Sequence, residues 1–216
     1  MPKNKGPDLM NLPRENWRDS SWVPTSNLFE PYDWKELFGN THPVEVELGA
    51  GDGGFILEKA RREPERNFFA LERLLGRARK MAKRAPERGL VNFKILRLES
   101  AYFIERLCPP CSVEVVHIMF PDPWPKKRHH KHRLIQQAFL GQLARVLKPG
   151  GEVRFTTDHE AYFQWAREHW LESPGWKSLG SWDAVEDPRT DFEQGFITEG
   201  REFYRERWGL EDKPID

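Results

Sequence analysis

An α/β fold built on a mostly parallel sheet is predicted by three features of the sequence. Short runs rich in β-branched and aromatic residues alternate with segments of helical apolar period from Val44 to Asp158, the pattern of successive strand–helix units. One of those runs, SVEVVHIMF, is apolar enough to be a strand buried inside a sheet. The first of them, VEVELGAGDGGF, passes from a strand through a glycine-rich turn into a helix, the connection that brings backbone close to a ligand at the carboxyl ends of parallel strands.

Residues 1–40 mix Pro, Asn, Asp and Lys with isolated large side chains (Trp17, Trp22, Phe29, Tyr32, Trp34) and sustain no period of 2 or 3.6. They are predicted to form an irregular arm whose aromatics anchor it to the rest of the chain, with stacking on substrate as the alternative. Residues 41–210 are expected to be the main domain and 211–216 a short tail. Within the glycine turn, Gly49, Gly51 and Gly54 satisfy G-x-G-x-x-G, and a helix should follow to about Arg62. Glu47 stands at the strand end, where a carboxylate suits a ligand with a cationic amine or sulfonium better than one with two phosphates. The strand NFFALE ends in Glu72, an acid placed to accept from ribose hydroxyls of either NAD or S-adenosylmethionine. Its helix carries Leu74, Leu75, Ala78, Met81, Ala82 and Ala85 on one face, and FKILRL then ends at Glu99, in reach of an adenine edge. Three successive strands that each end in a carboxylate point to a binding site rather than to structural ion pairs.

The stretch from Phe120 to His130 reads FPDPWPKKRHH. Its three prolines lack an N–H and fix φ, so it must be a stiff loop at the carboxyl end of SVEVVHIMF. Asp122 is held between two prolines with Trp124 beside it. From Lys126 to Arg133 the chain runs KKRHHKHR, five Lys/Arg and three His without an acid. Leu134, Ile135, Ala138, Phe139, Leu143, Val146 and Leu147 then keep a helical period, which places the cations at the front of a helix, against its dipole, and suggests an anionic ligand. Over the whole chain 34 Lys/Arg balance 34 Asp/Glu, so this is a focused patch on a neutral background, as a nucleic-acid docking site requires. Beyond it, LKPGG is predicted to stop the helix and turn at Lys148–Gly151 before a strand ending in Asp158. A helix follows with Tyr162, Phe163, Ala166, His169 and Trp170 inward, then a strand over Trp176–Val185, the stretch DPRTDFEQGFITEG with Thr190 and Glu193, and a strand-like EFYRERW.

No apolar run approaches the roughly 18 residues of a membrane span, and the first residues lack a signal-peptide core, so a cytoplasmic protein with no membrane association is expected. Cys108 and Cys111 form a lone CPPC with no second ligand pair, which reads as an incidental loop rather than a metal or redox site.

The motifs ELGAGDG, the strand-end Glu72, FPDPWPKKRHHKHR, TTDHE and TDFE together resemble those of bacterial tRNA (guanine-N7)-methyltransferases over about residues 40–210. FPDPW followed by K-x-R-H is specific to that family, whereas the glycine turn marks only the wider S-adenosylmethionine class. The resemblance implies a class I S-adenosylmethionine-dependent, Rossmann-like methyltransferase with a mostly parallel sheet and an antiparallel C-terminal hairpin. It implies methyl transfer to N7 of a guanosine in the variable loop of tRNA; a monomer or homodimer without a metal is expected. It also implies that Glu47, Gly49, Gly51, Glu72 and Glu99 hold the donor, that Asp122 is the active-site acid, and that Asp122, Lys126, Asp158, Thr190, Asp191, Phe192 and Glu193 meet the substrate. Arg128, His129, His130, Lys131, His132 and Arg133 correspond to the RNA-contacting stretch. Two other classes stay open: a nicotinamide-dependent oxidoreductase shares the glycine turn but leaves PDPW and the basic run unexplained, and a non-catalytic RNA-binding module leaves the three strand-end acids unexplained.

Overall fold

The strand–helix alternation folds into one sheet of eight strands among the described residues of the computed structural model, which are 20–25, 28–182, 188–190, 195, 200 and 202–211. The strands are β1 (Trp22–Val23), β2 (Val44–Leu48), β3 (Asn67–Leu71), β4 (Phe93–Leu96), β5 (Val113–Met119), β6 (Leu147–Thr157), β7 (Trp176–Gly180) and β8 (Tyr204–Leu210). They lie in the order β1-β4-β3-β2-β5-β6-β8-β7. Every pairing from β1 to β6 is parallel, and β8 runs antiparallel between β6 and β7. The mostly parallel sheet with an antiparallel C-terminal pair is therefore as expected.

Every residue of β2, β3 and β4 is buried, because helices cover both faces. Successive side chains point to opposite sides. Phe68 thus joins a core with Ile56 and Met81 from α2 (Gly54–Arg62) and α3 (Leu75–Glu87). Phe69 joins the other core, with Phe103, Leu140 of α5 (Gln137–Val146) and Trp170 of α6 (Glu160–Glu172). Trp170 stacks on Trp208 at 5.1 Å between ring centroids and 4° between planes, which fastens α6 to β8. From β2 the chain moves outward through β3 and β4 and then returns to add β5 on the other side. That reversal makes the carboxyl ends of β2 and β5 the switch point where open α/β sheets hold ligands. Among the described residues no helix is long and apolar enough to cross a membrane.

Several local expectations are corrected. The segment before residue 41 is not wholly irregular: it supplies β1, which pairs with β4, and α1 (Trp34–Phe38), capped by the Asp33 side chain. Trp22 is buried, and Tyr32 and Trp34 pack on Phe69 and Phe103; Phe29 is 90% exposed, and Trp17 lies outside the described residues. Lys148–Gly151 belongs to β6, but the register passes from Val113–Leu147 to Val115–Glu152, so the Lys-Pro-Gly-Gly stretch is extruded as a bulge. The strand expected over Trp176–Val185 is paired only as far as Gly180, whose φ of 78° ends it, and residues 183–187 lie outside the described residues.

The basic run also differs from its expectation. It does not open α5 but forms a separate 3-10 turn, Lys127–His132, and Arg133 to Gln136 lead from it to α5. Arg133 and Gln136 have extended backbone angles, which breaks the helical hydrogen bonding between the two. The cations therefore do not oppose the dipole of α5, and that argument for an anionic ligand falls away.

Candidate active site

The glycine turn after β2 is tied to β3. The N–H groups of Gly49 and Ala50 both donate to the Leu71 carbonyl at 2.9 Å, and Gly51 N–H donates to Glu72 Oε2 at 2.9 Å. Of the turn glycines at 49, 51 and 53, the most tightly enclosed is Gly53, which the sequence motif does not include. At Gly53, φ is 76° and a Cβ would lie 2.4 Å from Met81 Cγ, so only glycine lets α3 pack against the start of α2.

Glu72 is 6% exposed, and its second oxygen accepts from Leu74 N–H at 2.7 Å. Each carboxylate oxygen has two lone pairs, so the two backbone donors fix the group while leaving each oxygen one further acceptor site. Glu99 is held alike. Instead of ending β4, which stops at Leu96, it caps α4 (Ser100–Tyr102), accepting from Ala101 N–H at 3.0 Å and Tyr102 N–H at 2.8 Å. Glu47, 2% exposed, stands at the end of β2 as expected.

The proline loop leaves β5 at Met119. Phe120 N–H still reaches the Thr156 carbonyl of β6 at 2.8 Å, but Phe120 and Trp124 have φ of 50° and 42°. A left-handed backbone is rare for bulky residues and costs roughly 1–3 kcal/mol each, persisting only where the surroundings impose it. Arg133 is part of what imposes it. Its Nε donates to the Pro123 carbonyl at 2.8 Å, and its guanidinium lies 5.0 Å from the ring centroids of both Tyr162 and Trp165. At 3% exposed, Arg133 is the one buried residue of the stretch expected to contact RNA, and its guanidinium is turned onto the loop and the two rings. A planar guanidinium stacks between rings where an ammonium would not. Arg128, Lys131 and His132 are exposed, and His129 and His130 half-buried. The rings of His129 and His132 lie 5.8 and 5.1 Å from that of Trp124, bracing it beside Asp122.

Glu47, Gly49, Gly51, Glu72, Glu99, Asp122, Trp124, His132 and Thr190 all line one cleft of about 580 Å3 at the switch point. The fold thus brings the three acids expected to hold the donor and the loop acid to one place. Lys126, exposed, and Asp158, half-buried at the end of β6, are not among the lining residues. Asp191, Phe192 and Glu193 lie outside the described residues, although Thr190, which precedes them, is 93% buried in the cleft wall.

Beneath the cleft lies a buried polar cluster that the sequence reading missed. Glu45 accepts from Arg66 Nε at 2.7 Å, lies 3.7 Å from Lys59 Nζ, and is 2.7 Å from Nε2 of the fully buried His117. Burial pushes the Glu45 carboxyl up, but the His117 hydrogen bond and the nearby Lys59 and Arg66 charges outweigh it and hold the pKa at about 2. Burial dominates at His117 and lowers its pKa despite Glu45; the pair is best read as neutral imidazole donating to carboxylate. The sequence signal was VEVEL, in which Glu45 and Glu47 fall on one face of an otherwise apolar strand.

Residues 41–206 match a family model described as "Putative methyltransferase". A curated relative named tRNA (guanine-N(7)-)-methyltransferase from Syntrophotalea carbinolica is 32% identical over 182 residues, covering 82% of this chain and 78% of the relative. One of the same name from Lactobacillus acidophilus is 38% identical over 151 residues, covering 70% and 69%. Among solved structures, the 16S rRNA methyltransferase KamB superposes with a TM-score of 0.62 at 20% identity, over 86% of this chain and 95% of that one, a likeness of fold.

Proposed function

Because the chain belongs to the tRNA (guanine-N7)-methyltransferase family, we propose that its cleft brings S-adenosylmethionine together with a guanosine in the variable loop of tRNA and methylates N7. The observation that carries this reading is the convergence, at one switch point, of Glu72 and Glu99 from one side and the strained Asp122 loop from the other. The residues fit the donor. A glycine backbone with positive φ at Gly49 and Gly51 leaves room for close approach, Glu72 keeps two acceptor sites for a ribose diol, and Glu99 offers an acceptor to an adenine amine. Bound there, S-adenosylmethionine supplies a methyl group on a positively charged sulfur, and the Glu47 carboxylate at the end of β2 complements a cationic ligand.

Guanine N7 carries an available lone pair, so no proton has to be removed before transfer. The residues therefore act mainly by holding two reactants in line, an effect that reaches about 7–11 kcal/mol in well-oriented systems. Asp122 accepts from guanine N1–H and the exocyclic amine, donors that adenine does not present together. Its charge also stabilises the positive charge that grows on the base as the methyl arrives. Thr190 forms part of the base-side wall. Lys126 and Asp158 reach the nucleotide from outside the cleft. Lys127, Arg128 and Lys131 take the phosphates, which position the RNA without selecting its sequence.

Incubation of tRNA with labelled S-adenosylmethionine, followed by nucleoside analysis, should yield N7-methylguanosine. Label recovered in any other nucleoside, or equal labelling of a transcript whose variable-loop guanosine is changed to adenosine, would overturn the assignment.

A further inference from the structure

The β3–α3 side of the cleft carries a second concentration of positive charge that the basic run does not account for. Helix α3 holds five Lys/Arg, at 77, 79, 80, 83 and 84, against one acid, Glu87. On the outer face Lys83 pairs with Glu87 at 3.7 Å. The flank toward the glycine turn is different. Arg77, Lys80 and Arg84 succeed one another at spacings of three and four, which lines them up on one side of a helix, where like charges repel. Arg73 leads into the same flank, and Arg97 Nε donates to its carbonyl at 3.3 Å, adding a fifth cation. Asp52 is the carboxylate these cations meet: Lys80 Nζ donates to its Oδ2 at 2.8 Å, and Arg84 donates to its backbone carbonyl at 3.2 Å. The Lys80 hydrogen bond holds the Asp52 carboxyl below its ordinary value against the opposing effect of burial, and Arg77 and Arg84 add to it. Arg73 and Arg77 also line the cleft itself.

We propose that this flank, Arg73–Arg77–Lys80–Arg84, is a second docking surface for the phosphodiester backbone of the substrate RNA, on the side of the cleft across β2 from Lys127–Lys131. The proposal rests on the tRNA reading above. In a chain with no net charge, a row of cations with one carboxylate among them complements a polyanion. Its place at the cleft mouth puts it where strands flanking an inserted guanosine must pass. With basic surfaces on both sides, RNA is gripped on either side of the extruded nucleotide, so binding opposes its return to the stack.

The test uses the full chain with Arg77→Gln, Lys80→Gln and Arg84→Gln combined, and Arg79→Gln with Lys83→Gln on the outer face of the same helix as control. The affinity for unmodified tRNA is followed by fluorescence anisotropy from 50 to 200 mM salt, with S-adenosylhomocysteine titrated by calorimetry in parallel. Each lost phosphate contact should reduce the slope of log K against log salt by about 0.7–0.9, so about 2–3 for the triple variant. S-adenosylhomocysteine affinity should stay within about twofold, and the control should keep the parental slope. A parental slope in the triple variant overturns the proposal, and so does a loss of S-adenosylhomocysteine affinity with the slope unchanged, since the flank then serves the donor. If the triple variant does not fold, the three single variants are read in its place, and a parental slope in all of them is equally decisive against it. A parent protein that fails to methylate tRNA ends the tRNA reading itself; one that methylates normally while the slope is unmoved ends only the flank.

Discussion

Arg133 Nε donates to the Pro123 carbonyl at 2.8 Å, so the last cation of the basic run is bonded to the middle of the loop that carries Asp122. Replacing it by lysine keeps the charge but loses the planar group stacked between Tyr162 and Trp165. Arg133→Lys should therefore lower kcat by roughly 10- to 100-fold, as a small displacement of a positioned group does. The salt slope of tRNA binding should stay parental. A lysine variant with full kcat, paired with an alanine variant of reduced slope, would mean that Arg133 contacts phosphate after all.

Asp122→Asn keeps the size of the side chain but removes the charge and turns one acceptor into a donor where the proposed site receives the guanine edge. Single-turnover methylation should fall by roughly 100- to 1,000-fold, the usual effect of losing one preorganised polar group. Affinity for S-adenosylhomocysteine should be nearly unchanged. Rapid-quench kinetics at saturating tRNA and donor measure this, and a parental rate removes Asp122 from the chemistry.

Glu72 fixes the glycine turn through Gly51 N–H, and in the proposed site its spare lone pairs accept from the donor. Glu72→Ala should cost about 1–3 kcal/mol of S-adenosylhomocysteine affinity, since buried hydroxyls lose their acceptor. Calorimetry gives the value directly. An affinity equal to that of the parent excludes Glu72 from the donor site.

The buried Glu45–His117 pair predicts how stability falls in acid. Burial lowers the His117 pKa from 6.5, so as pH drops through 6.5 the unfolded chain takes up a proton that the folded chain refuses, and stability declines. Glu45, held at about 2 instead of 4.5, adds a second decline as pH falls from about 4.5 toward 2, at most about 3 kcal/mol. Thermal unfolding followed by circular dichroism between pH 5 and 8 should show the first decline in the parent and a flatter profile in His117→Gln. Identical profiles would show that His117 does not carry it.

Much of this was legible because strand ends and prolines leave strong local marks. VEVELGAGDGGF, NFFALE and FPDPWP each state a backbone constraint in a few residues, and Glu47, Glu72 and Asp122 among them meet in one cleft. What was hidden depends on partners distant in the chain. Arg133 looks like any other cation of KKRHHKHR until Tyr162 and Trp165 of α6 close around it. Lys59, Arg66 and His117 read as one helix cation, one loop cation and one strand histidine until the sheet gathers them on Glu45. Gly53 shows its need for glycine only against Met81 of α3. The break between the basic run and α5 was misread because the apolar period continues through Leu134 and Ile135 although the backbone there is not helical.

The pairing of β1 with β4, through Trp22–Ile95 and Val23–Leu96, also has a bearing on the order of assembly. The earliest of these strands to be synthesised has no place to dock until β2, β3 and β4 have formed their ladder, and contacts so far apart in sequence are slow to close. On this account β1 adds last to this half of the sheet. Once there, its two residues cover an edge that would otherwise offer the unpaired backbone of β4 to another chain, so the late step guards against self-association as well as completing the fold.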